Sequence, residues 1–137
     1  MLDFATILDT ARERTRLPDP DSDSWREGLE ILLHDHARAD RLTERGRAIV
    51  TARYTEALAA RMRVDDHIRQ HPQVLARPIE RPVFILGMPR TGTTMLSYML
   101  DADPMNRSML RWEAYNAAPP AAPGALRTDP RCLAEVA

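Results

Sequence analysis

The sequence predicts an α/β chain: an α-helical leader over residues 1–81, then, from residue 82, the start of a parallel sheet. Three observations predict it. Apolar residues recur at helical spacing through the leader. Val83-Phe84-Ile85-Leu86 is a short apolar run set between breakers, the pattern of a strand buried on both faces. A glycine-bracketed turn, Gly87 to Gly92, leads from that run directly into a further helical stretch.

The leader divides at its prolines. Leu2, Ile7 and Leu8 open a first helix, which Leu17-Pro18-Asp19-Pro20 ends, and Pro18 to Asp23 reads as a loop. Ser24 is the expected N-cap of a second helix, with Glu27 three residues on completing a capping box. Trp25, Leu29, Leu32, Leu33 and His36 are expected on its inward face. A third helix spans about Thr43 to Arg69, with a stripe of Val50, Tyr54, Leu58 and Met62, flanked by Ile49 and Ile68, until His71-Pro72 stops it.

Beyond the connector bracketed by Pro78 and Pro82 come the apolar run and the turn. Met95 to Leu100 is the helix that follows, ended by Asp101 to Pro104. Met109-Leu110 is a candidate second strand, Ala117 to Gly124 a Pro- and Ala-rich loop, and Leu133 to Ala137 the first turns of a helix. A parallel strand needs neighbours reached by crossovers of a dozen or more residues. About 50 residues follow the turn, room for one or two such units. The arithmetic therefore predicts either an N-terminal piece of a longer protein, with a truncated sheet over 82–137, or an unusually small sheet.

Composition narrows the function. The chain has 137 residues, enough for one ordinary domain. Its 19 basic residues are all arginine, against 20 Asp plus Glu, and the net charge is −1. That balance speaks against a nucleic-acid binder held by a basic field. A hydrophobic content of 44% speaks against a disordered chain. One cysteine, Cys132, allows neither an internal disulfide nor a cysteine-based zinc cluster. No apolar run approaches the roughly 20 residues of a membrane span, and Met1 to Leu17 lacks the pattern of a secretory signal. A cytoplasmic location is expected. His34 and His36 have the wrong spacing for a helical metal pair. His67 and His71 have the right spacing, but no acidic third ligand accompanies them, and no metal is expected.

The turn Gly87-Met88-Pro89-Arg90-Thr91-Gly92-Thr93-Thr94 carries the chemistry. Strand, glycine-bracketed loop and helix form the arrangement of a phosphate-binding loop and give the expected sheet its P-loop type. Successive amides from Arg90 to Thr94 are expected to form an anion nest at a helix N-terminus, with Thr93 and Thr94 adding hydroxyls. The nucleoside triphosphatase pattern G-x-x-x-x-G-K-[ST] is met by Gly87, Gly92 and Thr94, but Thr93 stands where it requires lysine. The chain contains no lysine, and the cation of the loop is Arg90.

Pro89-Arg90-Thr91-Gly92-Thr93-Thr94 resembles the 5′-phosphosulfate-binding loop of sulfotransferases, P-[KR]-[ST]-G-T-[ST], at every position. Arg81 to Gly87, Leu100 to Pro104 and Leu110-Arg111-Trp112-Glu113-Ala114 are similar to the bacterial sulfotransferase family. Trp25 to Leu29 and Arg69 to Pro72 are similar to the leader of its actinobacterial members.

The resemblance implies sulfuryl transfer from 3′-phosphoadenosine 5′-phosphosulfate to a hydroxyl or amine of a small-molecule, lipid or glycan acceptor. It implies that Arg90, Thr91, Gly92, Thr93 and Thr94 hold the donor's 5′-phosphate, with Arg90 meeting the charge that grows on the leaving oxygen. Glu113, 19 residues beyond Thr94, is the candidate general base. The family's 3′-phosphate-binding Arg and Ser find no convincing match here. Two rival readings stand beside this one: a degenerate P-loop protein that binds nucleotides or acts like a kinase, and an inactive fragment whose helices form an interaction module.

Overall fold

A computed structural model describes residues 3–38 and 42–136. Leu2 and Ala137, placed by the sequence in the first and last helices, lie outside the described residues. The helices, in chain order, are α1 (Phe4–Thr15), α2 (Arg26–Arg38), α3 (Glu44–Gln70), α4 (Thr93–Asp101), α5 (Arg111–Tyr115) and α6 (Pro130–Val136). Short 3₁₀ turns lie at Asp23–Trp25 and Pro72–Ala76.

Each leader helix has a local reason to start and stop. The Asp3 side chain accepts a hydrogen bond from the Thr6 amide at 3.0 Å, which caps α1 and holds the Asp3 carboxyl below its ordinary range. Arg16 ends α1 in a left-handed conformation, φ 57°, and donates its amide to Arg12 O at 2.7 Å. Arg12 then grips Asp19 through Nε and Nη2, both at 2.7 Å, and turns the following loop back along the helix. Thr43 caps α3 by accepting from the Gly46 amide at 3.1 Å. Pro72, which has no amide hydrogen and follows His71, sets the far limit of α3.

The core lies between α1 and α3. Ile7, Leu8 and Ala11 of α1 pack with Leu58, Ala59 and Met62 of α3, and Leu33 of α2 joins them. Small residues at 11 and 59, both fully buried, leave room for the larger Ile7 and Met62 side chains beside them. Tyr54 and Val50 cover one flank. On the other, Phe4 and Trp25 stack at 5.8 Å with the Arg26 guanidinium over both rings.

Three expectations are corrected here. Ser24 does not cap α2. Ser22 caps the preceding 3₁₀ turn by accepting from the Ser24 amide at 3.1 Å, and α2 begins at Arg26. Ser24 lies inside that turn and therefore does not flank α2. Leu32 is 45% exposed, because Leu33 takes the inward position one turn after Leu29.

The third correction concerns the fold class. No strand is present among the described residues, so the P-loop-type parallel sheet is absent from them and the α/β assignment fails. Val83 to Leu86 has no regular secondary structure, and Phe84 is 80% exposed and Leu86 90%. Met109 is likewise exposed, and Leu110 serves as the N-cap residue of α5. A segment becomes a strand only when a neighbour hydrogen-bonds to it, and no described segment lies alongside this one.

Candidate functional site

The turn between Leu86 and α4 is built by two left-handed residues. Arg90 has φ 69° and Gly92 φ 90°. Glycine adopts that region freely, whereas an arginine there costs about 1 kcal/mol. Left-handed residues alternating with others curve the backbone so that successive amides face one side. Thr91 Oγ1 donates to Met88 O at 2.6 Å and closes the turn from within. Gly87 sits against this closure: a Cβ there would lie 2.7 Å from Thr93 Cγ2 and 2.8 Å from Thr91 Oγ1.

Gly92 begins α4 with no side-chain cap, and the first backbone bond into the helix runs from the Leu96 amide to Gly92 O at 3.0 Å. The amides of Thr93, Thr94 and Met95 therefore have no acceptor within the helix. These three residues line a cleft of about 500 Å³ together with Arg90, Gly92 and Tyr98. Arg90 forms no ion pair with any described residue. A guanidinium, free amides and threonine hydroxyls on one cleft make a donor set with no acidic member, suited to an anion with several oxygens.

Four of the five loop residues singled out from the sequence thus line one cleft. Thr91 does not, because its hydroxyl is spent inside the turn. Tyr98 was missed by sequence reasoning. It lies one helical turn after Thr94, and that spacing was the available signal.

Glu113 stands elsewhere. It lies in the first turn of α5, with its side chain 14% exposed, and it does not line the loop cleft. Its Oε2 accepts from the Leu110 amide at 2.9 Å, and its Oε1 accepts from Arg107 Nη2. Both oxygens are engaged, one capping the helix and one in an ion pair.

Beside it, Trp112 is buried and donates its ring N–H to Leu126 O at 3.2 Å. Arg131 lies over the Trp112 ring at 4.6 Å and holds Asp129 through Nε and Nη2 at 2.9 and 2.7 Å. Arg131 holds the Asp129 carboxyl down to about 2, and Asp129 in turn raises the Arg131 guanidinium. Sequence reasoning did not single out this pair.

The histidines read from the sequence are placed as follows. His36 meets Tyr54 edge-on at 5.8 Å, and His34 lies 4.0 Å from Asp35. His67 and His71 stack at 4.3 Å. Among the described residues no three potential ligands gather for a metal, and no helix is long and apolar enough to cross a membrane.

Comparison with known proteins adds three findings. The model of the sulfotransferase family matches residues 82–137. The crystal structure of sulfotransferase STF9 from Mycobacterium avium superposes with a TM-score of 0.91 at 46% identity, covering 99% of this chain and 35% of that one. Sulfotransferase STF1 from Mycobacterium tuberculosis H37Rv superposes with a TM-score of 0.86 at 27% identity, covering 97% of this chain and 37% of that one. The chain therefore spans about a third of the length of both solved structures. No curated protein matches it.

Proposed function

The chain belongs to the bacterial sulfotransferase family, and from that premise we propose that it carries the donor-binding loop of an enzyme moving a sulfuryl group from 3′-phosphoadenosine 5′-phosphosulfate to a hydroxyl or amine acceptor. One observation supports this reading above the others: the residues whose amides are unpartnered at the start of α4 and the unpaired Arg90 line the same cleft. The donor is a substrate, and its 5′-phosphosulfate end is the multi-oxygen anion that this donor set suits.

In the proposed step the acceptor oxygen or nitrogen attacks sulfur in line. The bond from sulfur to the bridging oxygen breaks, and adenosine 3′,5′-bisphosphate leaves. Negative charge grows on that bridging oxygen. Arg90 and the amides of Gly92, Thr93 and Thr94 meet it with donors already in place, so little reorganisation is needed as the charge appears. Thr91 acts through the turn that its hydroxyl closes. Glu113 is the proposed base that takes the acceptor proton. In that role its carboxylate exchanges the Arg107 contact for the acceptor, while the Leu110 amide keeps its other oxygen in place. The acceptor is a small molecule, lipid or glycan, and the compartment is the cytoplasm.

Calorimetry with adenosine 3′,5′-bisphosphate, run beside ATP–Mg²⁺, tests the reading. Preference for the bisphosphate is the expected result. Preference for ATP–Mg²⁺ would reverse it in favour of a nucleotide-binding loop of another kind.

A further inference from the structure

The leader and the last third of the chain meet at a second hollow, of about 220 Å³, which shares no residue with the loop cleft. Its polar lining comes from one stretch of α3: Arg63, Asp66, His67 and Gln70. Steps of three, one and three place these residues on one side of the helix. Leu17, just past the end of α1, and Pro119 supply apolar wall.

The lining is held in position before any ligand arrives. Asp66 Oδ2 accepts from Gln70 Nε2 at 2.7 Å, and Arg63 Nη1 donates to Glu56 at 2.9 Å. The His67 ring is backed by that of His71. The opposite wall is anchored from behind. Arg131 Nη1 donates to Asn116 O at 2.9 Å and Pro119 O at 2.7 Å while its other nitrogens hold Asp129. One side chain therefore ties the Pro119 wall to α6.

Chemistry selects the class of ligand. Arg63 is ion-paired with Glu56 and Asp66 with Arg69, so neither brings an unpaired charge to the lining, which favours neither a phosphate nor an ammonium. Carboxylate, imidazole, carboxamide and guanidinium together offer donors and acceptors within one helical stretch. A hydroxyl gives one hydrogen and accepts on two lone pairs, so a ring bearing several hydroxyls uses such a mixture fully. The prolyl ring and Leu17 suit the C–H face of such a ring. The volume falls below the roughly 300–1,000 Å³ of drug-sized sites, which limits the occupant to a single ring. We propose that this hollow binds a neutral polyhydroxylated ring, a monosaccharide unit, through Asp66, His67 and Gln70 against Pro119. The proposal is independent of the nucleotide reading above.

The test titrates the full ¹⁵N-labelled chain with methyl α-D-glucopyranoside and follows the amide signals, with separate titrations of inorganic phosphate and adenosine 3′,5′-bisphosphate. Saturable shifts at His67, Gln70 and Ala118, without shifts at Thr91 to Thr94, are expected. Gln70→Leu should weaken this binding at least fivefold with an unchanged helical circular dichroism signal. Arg131→Lys, which keeps the charge but cannot span two carbonyls and a carboxylate, should weaken it as well. Absence of saturable shifts at those residues, equal affinity in Gln70→Leu, or saturation of the same residues by phosphate would overturn the proposal. The bisphosphate reads out on the loop amides, so failure of the nucleotide reading is seen separately.

Discussion

Gly87 and Thr93 touch across the mouth of the turn so closely that a single added methyl on Gly87 would stand 2.7 Å from Thr93 Cγ2. The same methyl would press on Thr91 Oγ1, which is bonded to Met88 O. Gly87→Ala should therefore open the turn and misalign its amides. Gly87 is exposed and remote from the α1–α3 core, so stability should change by less than about 1 kcal/mol. Calorimetry should show at least a tenfold loss of affinity for adenosine 3′,5′-bisphosphate, with an unchanged melting temperature.

Arg90 combines a left-handed backbone with the charge of the loop. Arg90→Ala removes charge-assisted hydrogen bonds worth about 1.5–3 kcal/mol, a loss of roughly 10- to 150-fold in affinity for the bisphosphate. Arg90→Gly should lose the same affinity while relieving the backbone, and so melt no lower than the parent. Equal affinity in both variants and the parent would remove Arg90 from the site.

Glu113→Gln keeps an oxygen to accept from the Leu110 amide but removes the basic carboxylate. If Glu113 is the base, turnover measured in the active enzyme should fall by about 10²–10⁴. Bisphosphate affinity should stay within about twofold, since Glu113 does not line the loop cleft. Wild-type turnover in this variant would place the base elsewhere.

Met62 is fully buried at the centre of the leader and touches Thr15 through sulfur at 3.4 Å. Met62→Ala should lower the unfolding free energy by about 2–5 kcal/mol, read from urea denaturation followed by circular dichroism. Ile49→Ala, at a position 47% exposed, should cost far less.

Acid should loosen the α5–α6 region in a defined window. Arg131 lowers the Asp129 carboxyl from 3.8 to about 2. A lowered carboxyl stabilises the folded state above its ordinary value, and that contribution disappears as the pH falls from about 4 towards 2. Trp112 reports it, because Arg131 lies over its ring. In a Trp25→Phe background, emission should shift to the red across that window. Asp129→Asn should abolish the step.

The leader was legible in the sequence because its signals are local. Proline positions and a four-residue stripe at 50, 54, 58 and 62 each act within a turn or two of helix. The turn was legible for the same reason, since Gly87, Gly92 and three threonines constrain a few consecutive dihedrals. The sheet was not. Val83 to Leu86 has the composition of a buried strand, but composition cannot supply the neighbour that hydrogen-bonds to it. Arg131 was equally out of reach. Asp129 is a local partner two residues away, but those at 112, 116 and 119 meet Arg131 only through tertiary packing, and no spacing rule links them.

Helix α3 serves two masters along one rod. Met62 locks into the bundle, while its immediate neighbour Arg63, with Asp66 and His67 a turn further on, faces the hollow against Pro119. No hinge separates these duties, so melting the leader also removes the α3 side of the hollow. Any small molecule seated beside Arg63 would thereby raise the midpoint of the bundle's own heat transition.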